Sequence, residues 1–216
     1  MYWKTVTPLL RDSLLKIMQA EEFKVFRLVG GTALSLQIGH RLSIDIDLFT
    51  DEDYGSVNFD LLEKYLIHNF PFVDEGFGGI TGMGKSFLIG SDIDNTVKLD
   101  VYYSNERFIE DAVEIEGVRM ASVEEIIAMK VDVVLRGGRK KDFWDLHELL
   151  PKYSIDKMLR LHKKRSEYTH DEEQILKNFT DFASADDDFD PVCLKGKLLL
   201  HPFRHLFLPE QVFLFV

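Results

Sequence analysis

The sequence is poor in cysteine, short of basic charge and without a long apolar run. Cys193 is the one thiol among 216 residues, which excludes an internal disulfide and makes a reducing compartment the simpler setting. No His–Asn context surrounds Cys193, so it reads as an incidental or buried thiol rather than a nucleophile. Acidic residues outnumber basic ones by 37 to 26, for a net charge of −11. Broad, non-specific nucleic-acid binding needs a basic footprint and is not expected of such a chain, although a local basic patch is compatible with it. There is no run of about 18 apolar residues, so no membrane span is expected. The stretch from Met1 to Thr5 lacks the apolar core of a signal peptide. The expected location is the cytoplasm.

Hydrophobic residues make up 45% of the chain and charged residues 29%, enough apolar content to bury a core without staples. Phenylalanine is frequent, at 17, so aromatic packing should carry much of that core. The apolar spacing predicts a helix over 8–22, a strand over 25–29 ending at Gly30-Gly31, a short helix from Thr32 to Ile38 closed by Gly39, and a strand over 44–49. A helix is expected over 58–69. Strands are expected at Phe72–Phe77, Ser86–Ile89 and Val97–Tyr103, with an edge strand over 113–120. The character changes at Ala121. Ser122-Val123-Glu124-Glu125 has the spacing of a capping box, and a helix should run from there to about Arg136. Gly137-Gly138 breaks it, and further helices are expected at about 140–150, 154–166 and 171–183. The expected organisation is α+β: an α/β core over 1–120 and a helical region over 121–216.

The stretch that carries chemistry is Val29-Gly30-Gly31-Thr32-Ala33-Leu34, followed after nine residues by Ile44-Asp45-Ile46-Asp47-Leu48-Phe49. On a strand, side chains two apart share a face. Asp45 and Asp47 therefore point one way, and Ile44, Ile46 and Leu48 can anchor the other way in a core. Two carboxylates side by side repel each other, and a cation between them removes the conflict. Hard oxygen donors suit magnesium, calcium or manganese. A strand that ends in two glycines and opens a helix is an anion site, because backbone N–H groups and the helix N-terminus favour a phosphate. Thr32 could add a hydroxyl donor. A third carboxylate is expected from a neighbouring strand, and Asp100 in Val97-Lys98-Leu99-Asp100-Val101-Tyr102 supplies it, facing away from its apolar neighbours. Three carboxylates can hold two metals, one activating the attacking hydroxyl and one clamping the triphosphate; Asp100 is also a candidate general base.

With those residues in view, Gly30-Gly31-Thr32-Ala33-Leu34 and His40-Arg41-Leu42-Ser43-Ile44-Asp45-Ile46-Asp47 resemble the AbiEii/AbiGii-type nucleotidyltransferases of the DNA polymerase β-like superfamily. The family pattern of a glycine pair followed by Arg-x-Ser/Thr-x-Asp-x-Asp is matched by Arg41, Ser43, Asp45 and Asp47. A later motif, a helix lysine and then Arg/Lys-Asp-x-x-Asp-Leu, is matched by Lys130 and by Lys141-Asp142-Phe143-Trp144-Asp145-Leu146. The resemblance spans roughly residues 25–150. It implies a polymerase β-like nucleotidyltransferase core with a helical C-terminal region, and magnesium-dependent transfer of a nucleotide from an NTP to an acceptor. Several members are toxins of toxin–antitoxin pairs, and some modify the acceptor end of tRNA. It further implies Asp45, Asp47 and Asp100 as metal ligands, Lys130 reaching the triphosphate, and Gly30, Gly31, Thr32, Arg41 and Ser43 around the phosphates. Asp142 and Asp145, three apart on one helix face, would orient Lys130 or Arg41 or contact the nucleotide.

The acceptor is left open between RNA, tRNA in particular, and protein, with a cognate antitoxin as a further partner. Arg136, Arg139, Lys140 and Lys141, or Lys157, Arg160, Lys163, Lys164 and Arg165, could seat an RNA backbone, or they are solvated helix faces. Two other readings stand beside this one. The acceptor could be a small cationic molecule, as for antibiotic nucleotidyltransferases, or the chain could be a non-catalytic relative that retains the site. The acidic run from Asp186 to Asp190 reads as a solvated loop, and Pro202 between His201 and His205 argues against a metal pair there.

Overall fold

The computed structural model describes residues 1–74 and 82–195, and within the last helix nothing is said of the Ser184 and Asp186 side chains. Part of the strand expected at Phe72–Phe77, together with His201, His205 and the tail after residue 195, lies outside the described residues.

The described chain divides into two compact units. One comprises Met1–Ile38 with Ser43–Ser122, and the other comprises Gly39–Leu42 with the chain from Val123 onward. The four-residue link Gly39–Leu42 thus belongs with the second unit rather than with its sequence neighbours.

The first unit is built on a mixed sheet of seven strands: β1 (Arg27–Leu28), β2 (Asp45–Thr50), β3 (Phe72–Asp74), β4 (Gly84–Asp92), β5 (Asn95–Tyr103), β6 (Val113–Ile115) and β7 (Val118–Met120), in the order β3-β4-β5-β2-β1-β7-β6. β2 runs parallel to β5 and β1 parallel to β7, and the remaining neighbours are antiparallel. The alternation in β2 and β5 separates two faces. Ile46, Leu48, Val97, Leu99 and Val101 are buried, while Asp45, Asp47, Lys98 and Asp100 are half-exposed. Helices α1 (Pro8–Met18) and α3 (Phe59–Asn69) pack on strands of this sheet. α1 begins at Pro8 because Thr7 caps it, its side chain accepting from the Leu10 amide. α2 (Gly30–Ile38) follows β1 directly.

Several expected boundaries shift: the helix over 8–22 ends at Met18, the strand over 25–29 shortens to Arg27–Leu28, and the helix expected from Thr32 starts at Gly30. Ile44 does not help to anchor the strand: β2 begins one residue later, and Ile44 is 68% exposed. The single edge strand over 113–120 is a hairpin, because Glu116 and Gly117 both have positive φ, 50° and 80°, as a two-residue turn of matching twist requires. Its second strand, β7, lies inside the sheet beside β1, and β6 takes the edge.

The second unit is helical: α4 (Val123–Leu135), α5 (Lys140–Leu149), α6 (Ile155–Arg165), α7 (Glu172–Phe179) and α8 (Ala183–Asp186), with α4 packed against α5, α6 and α7. Glu125, placed by its spacing in a capping box, is fully buried and receives the Arg165 Nε–H at 2.7 Å, tying α4 to α6. Trp144 is buried. No described helix is long and apolar enough to cross a membrane.

Candidate active site

In the first unit the carboxylates meet through strand register. The parallel pairing of β2 and β5 sets Asp47 directly beside Asp100 and Asp45 beside Lys98. On the other side of β5, Ser86 of β4 is the cross-strand partner of Asp100. Both Asp100 oxygens are engaged: Ser86 Oγ donates to Oδ1 at 2.6 Å, and Lys98 Nζ donates to Oδ2 at 2.6 Å. Ser86 Oγ lies 2.9 Å from Tyr102 Oη, which extends the row of polar groups along the same face. Burial works to lower the Lys98 ammonium's pKa, but the Asp100 hydrogen bond and the charges of Asp100, Asp45 and Asp47 outweigh it and raise the value.

The glycine bend adjoins this row. Gly30 has φ +68°, and a Cβ placed there would stand 2.8 Å from Asp47 Oδ2. Only a glycine gives both the left-handed turn and room for the carboxylate. The bend is stitched to β2: the Val29 amide donates to the Asp47 carbonyl at 2.8 Å, and the buried Thr32 hydroxyl donates to the Asp45 carbonyl and lies 2.7 Å from Ser43 Oγ. Thr32 and Ser43 therefore fix the backbone beneath Asp45. Gly31 follows Gly30 in the first turn of α2.

Of the expected site residues, Arg41, Lys130, Asp142 and Asp145 lie in the second unit, where the structure brings them together. Asp145 is fully buried and accepts from Arg41 Nε at 2.6 Å, Arg41 Nη2 at 2.8 Å and His40 Nε2 at 2.7 Å, with Lys130 Nζ at 2.7 Å. Lys130 also donates to Asp142 Oδ1 at 2.5 Å, and Asp142 Oδ2 accepts the Arg139 amide at 3.0 Å, capping α5. Desolvation pushes the Asp145 carboxyl up, yet Lys130, Arg41 and the hydrogen bonds from Arg41 and His40 hold it well below the ordinary carboxylate range. Asp142 is lowered against its own burial, chiefly by Lys130. Burial opposes the charge of Lys130, but Asp145 and Asp142 raise its pKa.

Sequence reasoning assigned no role to Lys98, Ser86, Tyr102 or His40. Lys98 and Tyr102 stand two residues either side of Asp100, so the alternation that singled out Asp100 could have included both. Ser86 needed the β4–β5 register, which no local pattern gives. The basic groups are partly committed: Lys140 pairs with Asp190 at 3.0 Å, Arg136 with Asp132, Arg160 with Asp156 and Arg165 with Glu125.

The mixed sheet thus carries the Asp45/Asp47 pair of β2 and Asp100 of β5 on adjacent parallel strands, beside the Gly30 bend. In overall fold the chain is similar to MenT4, a nucleotidyltransferase toxin of Mycobacterium tuberculosis, with a TM-score of 0.59, 13% identity, and coverage of 94% of this chain and 80% of that one. It is likewise similar to JHP933 of Helicobacter pylori, with a TM-score of 0.55, 20% identity, and coverage of 95% and 88%. An uncharacterized protein of Aquifex aeolicus is 26% identical over 167 residues, 68% of each chain. The chain belongs to the AbiEii family, described as nucleotidyl transferase AbiEii toxin, type IV TA system, which it matches over residues 13–199.

Among the described residues no three His, Cys, Asp or Glu side chains are already gathered as a metal-ligand set. The donors nevertheless suit a hard cation. Asp47 and Asp100 are register partners, Gly30 leaves space at Asp47 Oδ2, and a cationic group, the Lys98 ammonium, is already drawn to Asp100 and feels Asp45 and Asp47.

Proposed function

We propose that the chain transfers a nucleotide from an NTP to an acceptor, RNA (tRNA in particular) or protein, as the toxin of a toxin–antitoxin pair in the cytoplasm. The observation that carries the reading is the pairing of Asp47 with Asp100 on adjacent parallel strands beside the Gly30 bend. Asp45, Asp47 and Asp100 would hold magnesium, in a two-metal arrangement. Magnesium held there would supply charge stabilisation for the triphosphate and a lowered pKa for the attacking hydroxyl. Asp100 would serve as a metal ligand through Oδ2 or, alternatively, as the general base for that hydroxyl, once Lys98 leaves it. Gly30 and Gly31 expose backbone N–H groups at the start of α2 to the phosphates. Thr32 and Ser43 act by holding β2 in register with α2. In the second unit, the Arg41–Asp145–Lys130–Asp142 network holds the Gly39–Leu42 segment. The match to a toxin family and the likeness to a nucleotidyltransferase toxin support the toxin role.

The test is to incubate the purified protein and magnesium with each of the four NTPs, labelled at the α-phosphate, and with tRNA, total RNA or bacterial protein extract. The expected result is label on one acceptor class, lost in Asp45→Ala. Equal labelling by Asp45→Ala would overturn the assignment of the carboxylates. The net charge of −11 favours, as a second reading, a cationic small acceptor such as an aminoglycoside; label on that acceptor alone would select it.

A further inference from the structure

Lys98 is an unusual neighbour for a metal site. It lies on the same face of β5 as Asp100, is the register partner of Asp45, and donates to Asp100 Oδ2 at 2.6 Å. Its side chain is 43% exposed, so it is not locked in a core and can swing away from the strand. Asp100 Oδ1 is held separately by Ser86, whose hydroxyl also meets Tyr102. This leaves Oδ2 as the oxygen over which the ammonium and an incoming cation contend.

We infer that Lys98 is a built-in competitor of the divalent cation at Asp100, so that metal and nucleotide bind as a coupled pair; the inference rests on the metal-ligand reading of Asp45, Asp47 and Asp100 above. Without nucleotide, the ammonium neutralises part of the carboxylate row and weakens metal binding. A triphosphate arriving with its metal offers the ammonium a new anionic partner and frees Oδ2 for the metal. The two ligands then favour each other by the same factor, as thermodynamic linkage requires. Lys98 would thus be a positioning residue that changes partner, with its flexible four-carbon stem suited to the swing.

The experiment measures Mn2+ binding to the full chain by the loss of the free-ion paramagnetic resonance signal, with and without a non-hydrolysable NTP. Lys98→Met is expected to bind Mn2+ alone at least about fivefold more tightly than wild type, and to lose most of the enhancement that the nucleotide gives wild type. Lys98→Arg, which retains the charge, should stay near wild type, and Asp47→Asn should bind poorly in every background. If Mn2+ binds wild type and is lost in Asp47→Asn, but Lys98→Met matches wild type, the competition is refuted while the metal site stands. If Asp47→Asn binds Mn2+ as wild type does, the carboxylate site itself fails and the inference falls with it.

Discussion

Replacing Asp145 by Asn retains the shape of the side chain and removes its charge from a fully buried site. The network there contains two permanent cations, Arg41 and Lys130, and two carboxylates, Asp142 and Asp145, all buried. The charges balance in wild type. Asp145→Asn leaves one uncompensated buried positive charge and turns an amide N–H toward Arg41 or Lys130. Breaking a buried pair by removing one partner costs about 3–5 kcal/mol. At about 2–4 °C per kcal/mol for a chain of this size, the melting temperature should fall by roughly 6–20 °C. The assay is thermal unfolding at pH 7 followed by circular dichroism. The pH dependence follows from the depressed Asp145 carboxyl. Its stabilisation is fully present above the unfolded carboxylate value of about 3.9 and is lost as pH falls through the lower folded value. The gap between wild type and Asp145→Asn should therefore be full at neutral pH, begin to narrow only below about pH 4 and close as pH falls through the lower folded value. Adding Lys130→Met to Asp145→Asn removes the stranded charge and should recover part of the loss. A melting temperature within about 2 °C of wild type at pH 7 would refute the reasoning, because it would mean that the buried charges are not coupled.

Two further substitutions probe the bend and its stitching. Gly30→Ala puts a methyl group 2.8 Å from Asp47 Oδ2 in a left-handed backbone, so transfer should fall at least about tenfold while stability drops by only about 1–2 kcal/mol; unchanged transfer would argue against a role for the bend. Thr32→Val removes the hydroxyl bonds to Ser43 and the Asp45 carbonyl, and should lower unfolding stability by about 1–3 kcal/mol in urea titration; an unmoved midpoint would show that the hydroxyl holds nothing.

The alternation in Asp45-Ile46-Asp47-Leu48 and in Leu99-Asp100-Val101 was enough to read two strands with acidic and apolar faces. A period of two is a local property of the chain. Which strand lies next to which is not local. The parallel β2–β5 pairing that sets Asp47 beside Asp100 joins positions 53 residues apart, and β7 reaches the middle of the sheet rather than its edge. The strand starts one residue later than the alternation implies, because Ile44 continues the apolar pattern although it lies before the first paired residue. Arg41 was harder still. The motif resemblance sets Arg41 near the phosphates, and only its long-range partner Asp145 explains its burial. For the same reason the destination of the Lys98 ammonium was invisible, since a lysine on a half-exposed strand face has no local cue to its partner.

Asp47 carries the central role in the proposed chemistry. The decisive measurement is the rate of labelled nucleotide transfer by Asp47→Asn against wild type, with both proteins shown to melt at the same temperature. A drop of at least about 100-fold with an unchanged melting curve is the result expected of a charge that grips the metal–nucleotide complex. Transfer at the wild-type rate would place the chemistry elsewhere in the molecule.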